Sequence, residues 1–220
     1  MTRKSIGTMM GSQPTGTFMG IPAGTLADVS GGSAVFGAPC ATPYPSVGAY
    51  CKDAPQAIRS AISMYQANIS HMDFDLGGPI FPNGIHAVDL GDLGFDESDS
   101  AGNRERIRAT TAGIIERGAV PIVIGGDDSI PIPMISAFAD TGEYTVVQID
   151  AHIDYRDEVS GEKLGLSSTM RRAFEMPHIT GLIQVGQRGI GSARPQDFAD
   201  AKSHGVNFVS AREVASHGIQ

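Results

Sequence analysis

The sequence predicts an α/β protein with a mostly parallel sheet, on three observations. From Ser33 onward, short β-branched runs alternate with segments of helical periodicity, the pattern of repeated βα units. Two of those runs end in acidic clusters, at the strand ends where a parallel sheet gathers its ligands. The 28 glycines and 13 prolines are high for a helical bundle and ordinary for a chain full of tight strand-to-helix turns.

Residues 1 to about 30 are rich in Gly, Thr, Ser and Pro without periodicity and read as an extended arm of the kind that packs on a neighbouring subunit. Residues 31–220 then form one domain. Its first strand is Ala34-Val35-Phe36. Past a proline-rich loop, a helix begins near Asp53, an expected N-cap, and runs through Ile58, Ile62 and Tyr65. A strand over 85–88 follows. A helix over 103–117 carries Ile107, Ile114 and Ile115 on one face and stops at Gly118. The continuous apolar run 120–124 reads as a strand buried on both sides. Further helices are expected over 131–140, 168–176 and 196–204, and further strands over 144–149, 182–185 and 206–209.

Charge narrows the function. The net charge of -8, with 16 basic against 24 acidic residues, argues against a phosphate-tracking surface and suits cationic small molecules or metal ions. No nucleic-acid partner is expected. Cys40 and Cys51 are too few for a disulfide framework, lack zinc-site spacing and read as buried thiols. Arg3 and Lys4 are not followed by the apolar run of a signal peptide, and no stretch reaches membrane-spanning length. The expected setting is cytoplasmic, with no membrane partner.

The chemistry sits in Gly125-Gly126-Asp127-Asp128-Ser129 and Asp150-Ala151-His152-Ile153-Asp154. Asp150, His152 and Asp154 are spaced i, i+2, i+4, so on extended backbone their side chains point the same way, and Asp128 joins from the other strand end. Three carboxylates and an imidazole crowded together repel unless a cation neutralises them, and an oxygen-rich set with one nitrogen favours a hard divalent ion such as Mn²⁺ over structural zinc. Taken one cluster at a time, Asp127 and Asp128 read equally well as helix caps and Asp150 and Asp154 as turn residues. Their recurrence on successive strands favours the metal.

These two motifs resemble those of the ureohydrolases, the arginase and agmatinase family, whose patterns are Asp-Ala-His-x-Asp and Gly-Gly-Asp-His-Ser. Ala54-Pro55-Gln56-Ala57-Ile58-Arg59, Asp89-Leu90-Gly91-Asp92 and Met170-Arg171-Arg172-Ala173 extend the likeness from about Phe36 to the end. The resemblance implies a three-layer α/β/α arginase-like fold and two Mn²⁺ per site, with Ni²⁺ or Mg²⁺ as the other ions that suit it. It implies that Asp150 bridges both ions, that Asp128 and Asp154 bind one, and that His152 binds the other. Asp150, His152 and Asp154 are then the catalytic residues, and a metal-bridging hydroxide attacks a small guanidino compound, agmatine or a guanidino acid, releasing urea and an amine. Relatives assemble as trimers or hexamers, so a homo-oligomer is expected. Deacetylases of the same fold carry consecutive histidines before Gly-Asp-Gly, a pattern absent from this sequence.

Three departures qualify the likeness. Asp128 stands where the family has a histidine ligand. Leu166 stands near the family's substrate histidine, leaving Ser167 and Ser168 as the expected substrate-binding groups, with His178 a possible stand-in and Arg188 a possible contact for an acidic substrate tail. No second Asp-x-Asp pair follows Ala211-Arg212-Glu213-Val214. The chain therefore reads as C-terminally truncated, missing the last strands of the sheet. The alternative is a non-catalytic or fragmentary homologue that binds one metal or none and acts through subunit association. His71, His86, His204 and His217 are expected in core or surface roles, and Asp89 and Asp92 in structural ones.

Overall fold

A computed structural model of the chain describes residues 16–82, 86–191 and 193–218. They divide into two compact units, one built from segments within 1–40, 49–96 and 109–126, the other from 41–48, 97–108 and 127–220. Each carries a three-stranded, all-parallel sheet. The predicted α/β class with parallel strands is therefore observed.

In the first unit the order is β2-β1-β3, with β1 (Ser33–Ala38) between β2 (Ala87–Asp92) and β3 (Val120–Gly125). The central position explains why Ala34 to Ala38 are all buried. Val35 and Ile124 form a core cluster with Ile21, which comes from the segment expected to be an extended arm. Residues 16–30 thus lie on their own unit: two 3₁₀ turns flank a stretch in which Gly24 N–H donates to Asp89 O at 3.0 Å and Asp89 N–H to Pro22 O at 2.9 Å. Residues 1–15 of that segment lie outside the described residues, as does Ile85 of the expected 85–88 strand; β2 runs to Asp92 instead.

Helix α1 (Ala54–Ile62) starts where Asp53 was expected to cap it, but the Asp53 side chain makes no capping bond and Pro55 sets the first turn instead. A 3₁₀ segment, Ser63–Asn68, continues it past Tyr65. Helix α2 (Ser100–Ile115) is closed by Gly118 at φ 68°, a left-handed position favouring glycine. The expectation that the 120–124 strand is buried on both sides is corrected: Val120 and Ile122 are exposed because β3 is an outer strand of its sheet.

The order in the second unit is β4-β5-β6, from β4 (Tyr144–Ile149), β5 (Ile179–Val185) and β6 (Asn207–Val209). Its core joins Ile153, Tyr155, Met170, Leu182, Ala201 and Val206. Helix α3 (Pro131–Ser136) ends earlier than expected, while α4 (Thr169–Phe174) and α5 (Pro195–Ser203) lie within or beside their predicted ranges. A further helix, α6 (Ala211–His217), starts from a capping box between Ser210 and Glu213. On β4, Val147 and Ile149 are exposed, Ile149 at 83%. Cys40 is buried, Cys51 half-buried, and neither is in a disulfide. Among the described residues no helix is long and apolar enough to cross a membrane.

One buried ion pair organises the first unit. Arg59, 5% exposed, meets Asp89 through two bonds, Nε at 2.8 Å and Nη2 at 2.9 Å, and also contacts Asp92. Burial alone would raise the Asp89 carboxyl, but the Arg59 bonds together with the Phe18 and Gly91 N–H groups hold it below the usual range. Asp89 and Asp92 are thus structural, as expected. Arg59→Leu strands Asp89 without its counter-charge, and urea denaturation is expected to show a loss of about 3–5 kcal/mol; a loss below about 1 kcal/mol would mean that the backbone donors alone suffice.

Candidate metal centre

The site residues lie on two loops of the second unit. The first is the turn at 127–129, shaped by Asp127, whose Oδ1 accepts from Ser129 N–H at 3.0 Å and Ser129 Oγ–H at 2.6 Å. Ser129 Oγ in turn accepts from the N–H groups of Ala41 and Thr42 at 3.2 and 2.9 Å. Asp127 and Ser129 therefore build the turn, and the Asp128 carboxylate takes no part in it. The Asp128 carbonyl accepts from the Thr169 hydroxyl, and its buried Oδ2 has no hydrogen-bond partner.

The second loop follows β4. Asp150 N–H donates to Val185 O at 2.9 Å, and Asp150 Oδ1 accepts from His152 N–H at 2.7 Å, with His152 Nδ1 3.2 Å away. This side-chain turn ends the extended backbone at Ile149. The expectation that Asp150, His152 and Asp154 project alike from a continuing strand is therefore corrected. Asp154 adopts φ 44°, rare outside glycine. Its carbonyl accepts from Met170 N–H at 3.0 Å and Arg171 N–H at 3.4 Å, and its Oδ2 accepts from Gln148 Nε2 at 2.7 Å.

The structure brings the four predicted donors together as two pairs. The Asp128 and Asp154 carboxyls act on one another, and Asp150 faces His152. Burial, reinforced by the Asp154 and Asp150 charges, pushes the Asp128 carboxyl up to about 8; burial raises Asp154 as well, against the Gln148 bond. Among the described residues no three donors are grouped around one point. The donor chemistry nevertheless fits a divalent cation: among the described residues a buried Asp128 oxygen is without a partner and feels the charges of Asp154 and Asp150, a repulsion that a proton or a cation relieves.

A cavity of about 70 Å³ adjoins this cluster, lined by His152, Asp154, Arg156, Ser167 and Arg194 among others. Arg194 is engaged by Asp197 through two bonds, at 2.6 and 2.7 Å. The Arg156 guanidinium has no ion pair or side-chain hydrogen bond among the described residues, although its N–H donates to Ser167 O at 3.0 Å. Nothing in the motif singled Arg156 out; its position two residues past Asp154 was the available signal. Of the two serines expected at substrate, Ser167 lines the cavity, whereas Ser168 is fully buried and does not. His178 is buried with Nε2 3.0 Å from Ile135 O, and Arg188 is exposed, its Nη1 bonded to Gly186 O at 3.1 Å; neither lines the cavity. A larger opening of about 710 Å³, between Pro43–Gly48, Glu97 and Val159–Glu162, touches none of the four donors.

The sequence profile of the arginase family matches residues 32–220. The chain belongs to the arginase family. Its relatives include a formimidoylglutamase of Halalkalibacterium halodurans, 31% identical over 76% of this chain and 51% of that protein, and a mitochondrial agmatinase of Gallus gallus, 30% identical over 72% and 46%. The solved formimidoylglutamase of Bacillus subtilis superposes with a TM-score of 0.75 at 25% identity, covering 100% of this chain and 65% of that one. This arginase-family chain thus spans about half the length of the curated relatives it matches.

The Asp128 proton gives a direct test of the crowding. The folded chain holds that proton up to about 8 and the unfolded chain releases it near 3.8, so between those values the unfolded state binds fewer protons and stability falls as pH rises. Thermal unfolding of metal-free protein is expected to lose up to about 1.4 kcal/mol per pH unit across that window, and Asp128→Asn is expected to flatten the slope. An undiminished slope in the variant would place the responsible group elsewhere.

Proposed function

We propose that this chain carries a ureohydrolase-type metal centre acting on a small amidino compound that bears a carboxylate, a guanidino acid or an N-formimidoyl amino acid, in preference to agmatine. The observation that carries this reading is Arg156, a guanidinium with no ion pair among the described residues, in the cavity that His152, Asp154 and Ser167 also line. A guanidinium pairs in a bidentate manner with carboxylates and repels the second cation of agmatine. The names of the relatives include both a formimidoylglutamase and an agmatinase, and Arg156 favours the acidic substrate.

Asp128, Asp150, His152 and Asp154 are the residues that would hold the ions, with Mn²⁺ implied by the family and suited to an oxygen-rich set. When bound, the metal supplies Lewis acidity and lowers the pKa of water. The chain's own groups do the rest. Arg156 fixes the substrate's carboxylate end, Ser167 Oγ accepts an amidino N–H, and the acidic cluster attracts the cationic amidino group. Water adds to the amidino carbon, the carbon–nitrogen bond to the amine breaks, and the amine leaves with a proton. The other product is urea from a guanidino group or formamide from a formimidoyl group.

A second reading has its own support. The absence of a three-donor group among the described residues, with Asp128 and Leu166 in place of family histidines, favours a homologue that binds one ion or none and works through subunit association. Elemental analysis after Mn²⁺ loading separates the two: about two ions per chain supports the enzyme, and one or fewer supports the second reading. Asp150→Ala is expected to bring an uptake of two close to zero, and full retention would remove Asp150 from the bridging role. In amine-release assays, 4-guanidinobutyrate or N-formimidoylglutamate is expected to outrun agmatine, with Arg156→Ala lowering kcat/KM for the acids about 10–100-fold. Preferential turnover of agmatine would overturn the carboxylate assignment.

A further inference from the structure

Two buried glutamines stand behind the candidate centre, and composition gives no reason for them. Gln148 on β4 and Gln184 on β5 face one another in the strand register, at positions where a parallel strand would ordinarily carry Val or Ile. Gln184 is fully buried and Gln148 nearly so. Burying an amide costs its desolvation, which hydrogen bonds offset; the Gln184 Nε2 makes two of them, while its buried Oε1 has no partner among the described residues.

The bonds here have a direction that the chemistry fixes. A backbone carbonyl only accepts, so Gln184 must turn its Nε2 toward Ile153 O, 2.7 Å away. The same Nε2 donates its second hydrogen to Gln148 Oε1. With its oxygen committed, Gln148 has only its Nε2 for Asp154, and that atom lies 2.7 Å from Asp154 Oδ2. The order therefore runs from the Ile153 carbonyl through two amides to one named carboxylate oxygen, and no member can flip without leaving two like groups face to face.

Asp154 itself has an unusual backbone. It holds φ 44° without being glycine, and its carbonyl is gripped by two N–H groups at the start of α4. The backbone bonds fix where the residue sits, and the amide fixes how its carboxylate is turned.

We propose that Gln184 and Gln148 are positioning residues for the metal centre, a two-amide relay anchored on the Ile153 carbonyl that commits Asp154 Oδ2 as an acceptor and leaves the other oxygen for the cation. The inference rests on the metal-binding reading above and adds residues that the motif does not contain. Neither glutamine lines the cavity beside Asp154. Their action is through Asp154 alone.

The test is Mn²⁺ affinity, by titration calorimetry or by electron paramagnetic resonance of free Mn²⁺, on the full chain and on Gln148→Met, Gln184→Met and the double variant. Methionine keeps the length and removes the donor. Gln148→Met is expected to weaken binding about 10–100-fold, the usual effect of removing an outer-shell partner of a ligand. Gln184→Met is expected to weaken it in the same direction, and the double variant no further than Gln148→Met, because Gln184 acts through Gln148. A purely structural pair would instead lower the thermal midpoint of the metal-free protein and leave the affinity of the folded protein unchanged. Unchanged affinity in Gln148→Met, or losses that simply add in the double variant, overturns the relay. If Gln184→Met does not fold, Gln148→Met decides alone. A wild-type chain that takes up no Mn²⁺ overturns the metal-binding reading and the relay with it, whereas normal uptake with an unaffected Gln148→Met overturns the relay only.

Discussion

Like-charge repulsion in a confined space is the constraint on which the second unit depends. Asp128, Asp150 and Asp154 come from two loops that reach one another, and the burial that makes the place specific also makes the charges costly. Burial and the neighbouring charges raise the Asp128 carboxyl, Asp150 turns toward His152, and Asp154 accepts from Gln148. Each arrangement lowers the repulsion without neutralising it.

The first unit resolves the same physical problem in the opposite way. Asp89 is as buried as any acid in the chain, yet Arg59 and two backbone N–H groups occupy its oxygens. Nothing remains for a ligand. Asp128 has an oxygen that no group among the described residues occupies. Whether the acceptors of a buried carboxylate are filled, rather than how deeply it lies, distinguishes Asp89 from Asp128.

Much of the fold was legible because hydrophobic runs and glycine stops are local signals. The strands at 33–38 and 144–149 and the stop at Gly118 follow from them. The exposed face of β3 was not legible, since an apolar strand reads the same at the centre of a sheet as at its margin. At the site the donor types and their clustering were legible. The way they point was not, because the Asp150 side chain competes with the strand for the backbone and Asp154 leaves the extended region. Arg156 and the two glutamines escaped for another reason: the significance of each comes from partners distant in sequence, or from their lack, and spacing carries no trace of that. The helix at 211–217 did carry a readable signal, the Ser210–Glu213 pair.

The outer strand β4 has one more consequence. Its odd-numbered face sets Val147 and Ile149 in water beside an edge whose backbone groups have no neighbouring strand among the described residues. Apolar side chains next to open main-chain donors and acceptors are what one polypeptide offers another for sheet growth.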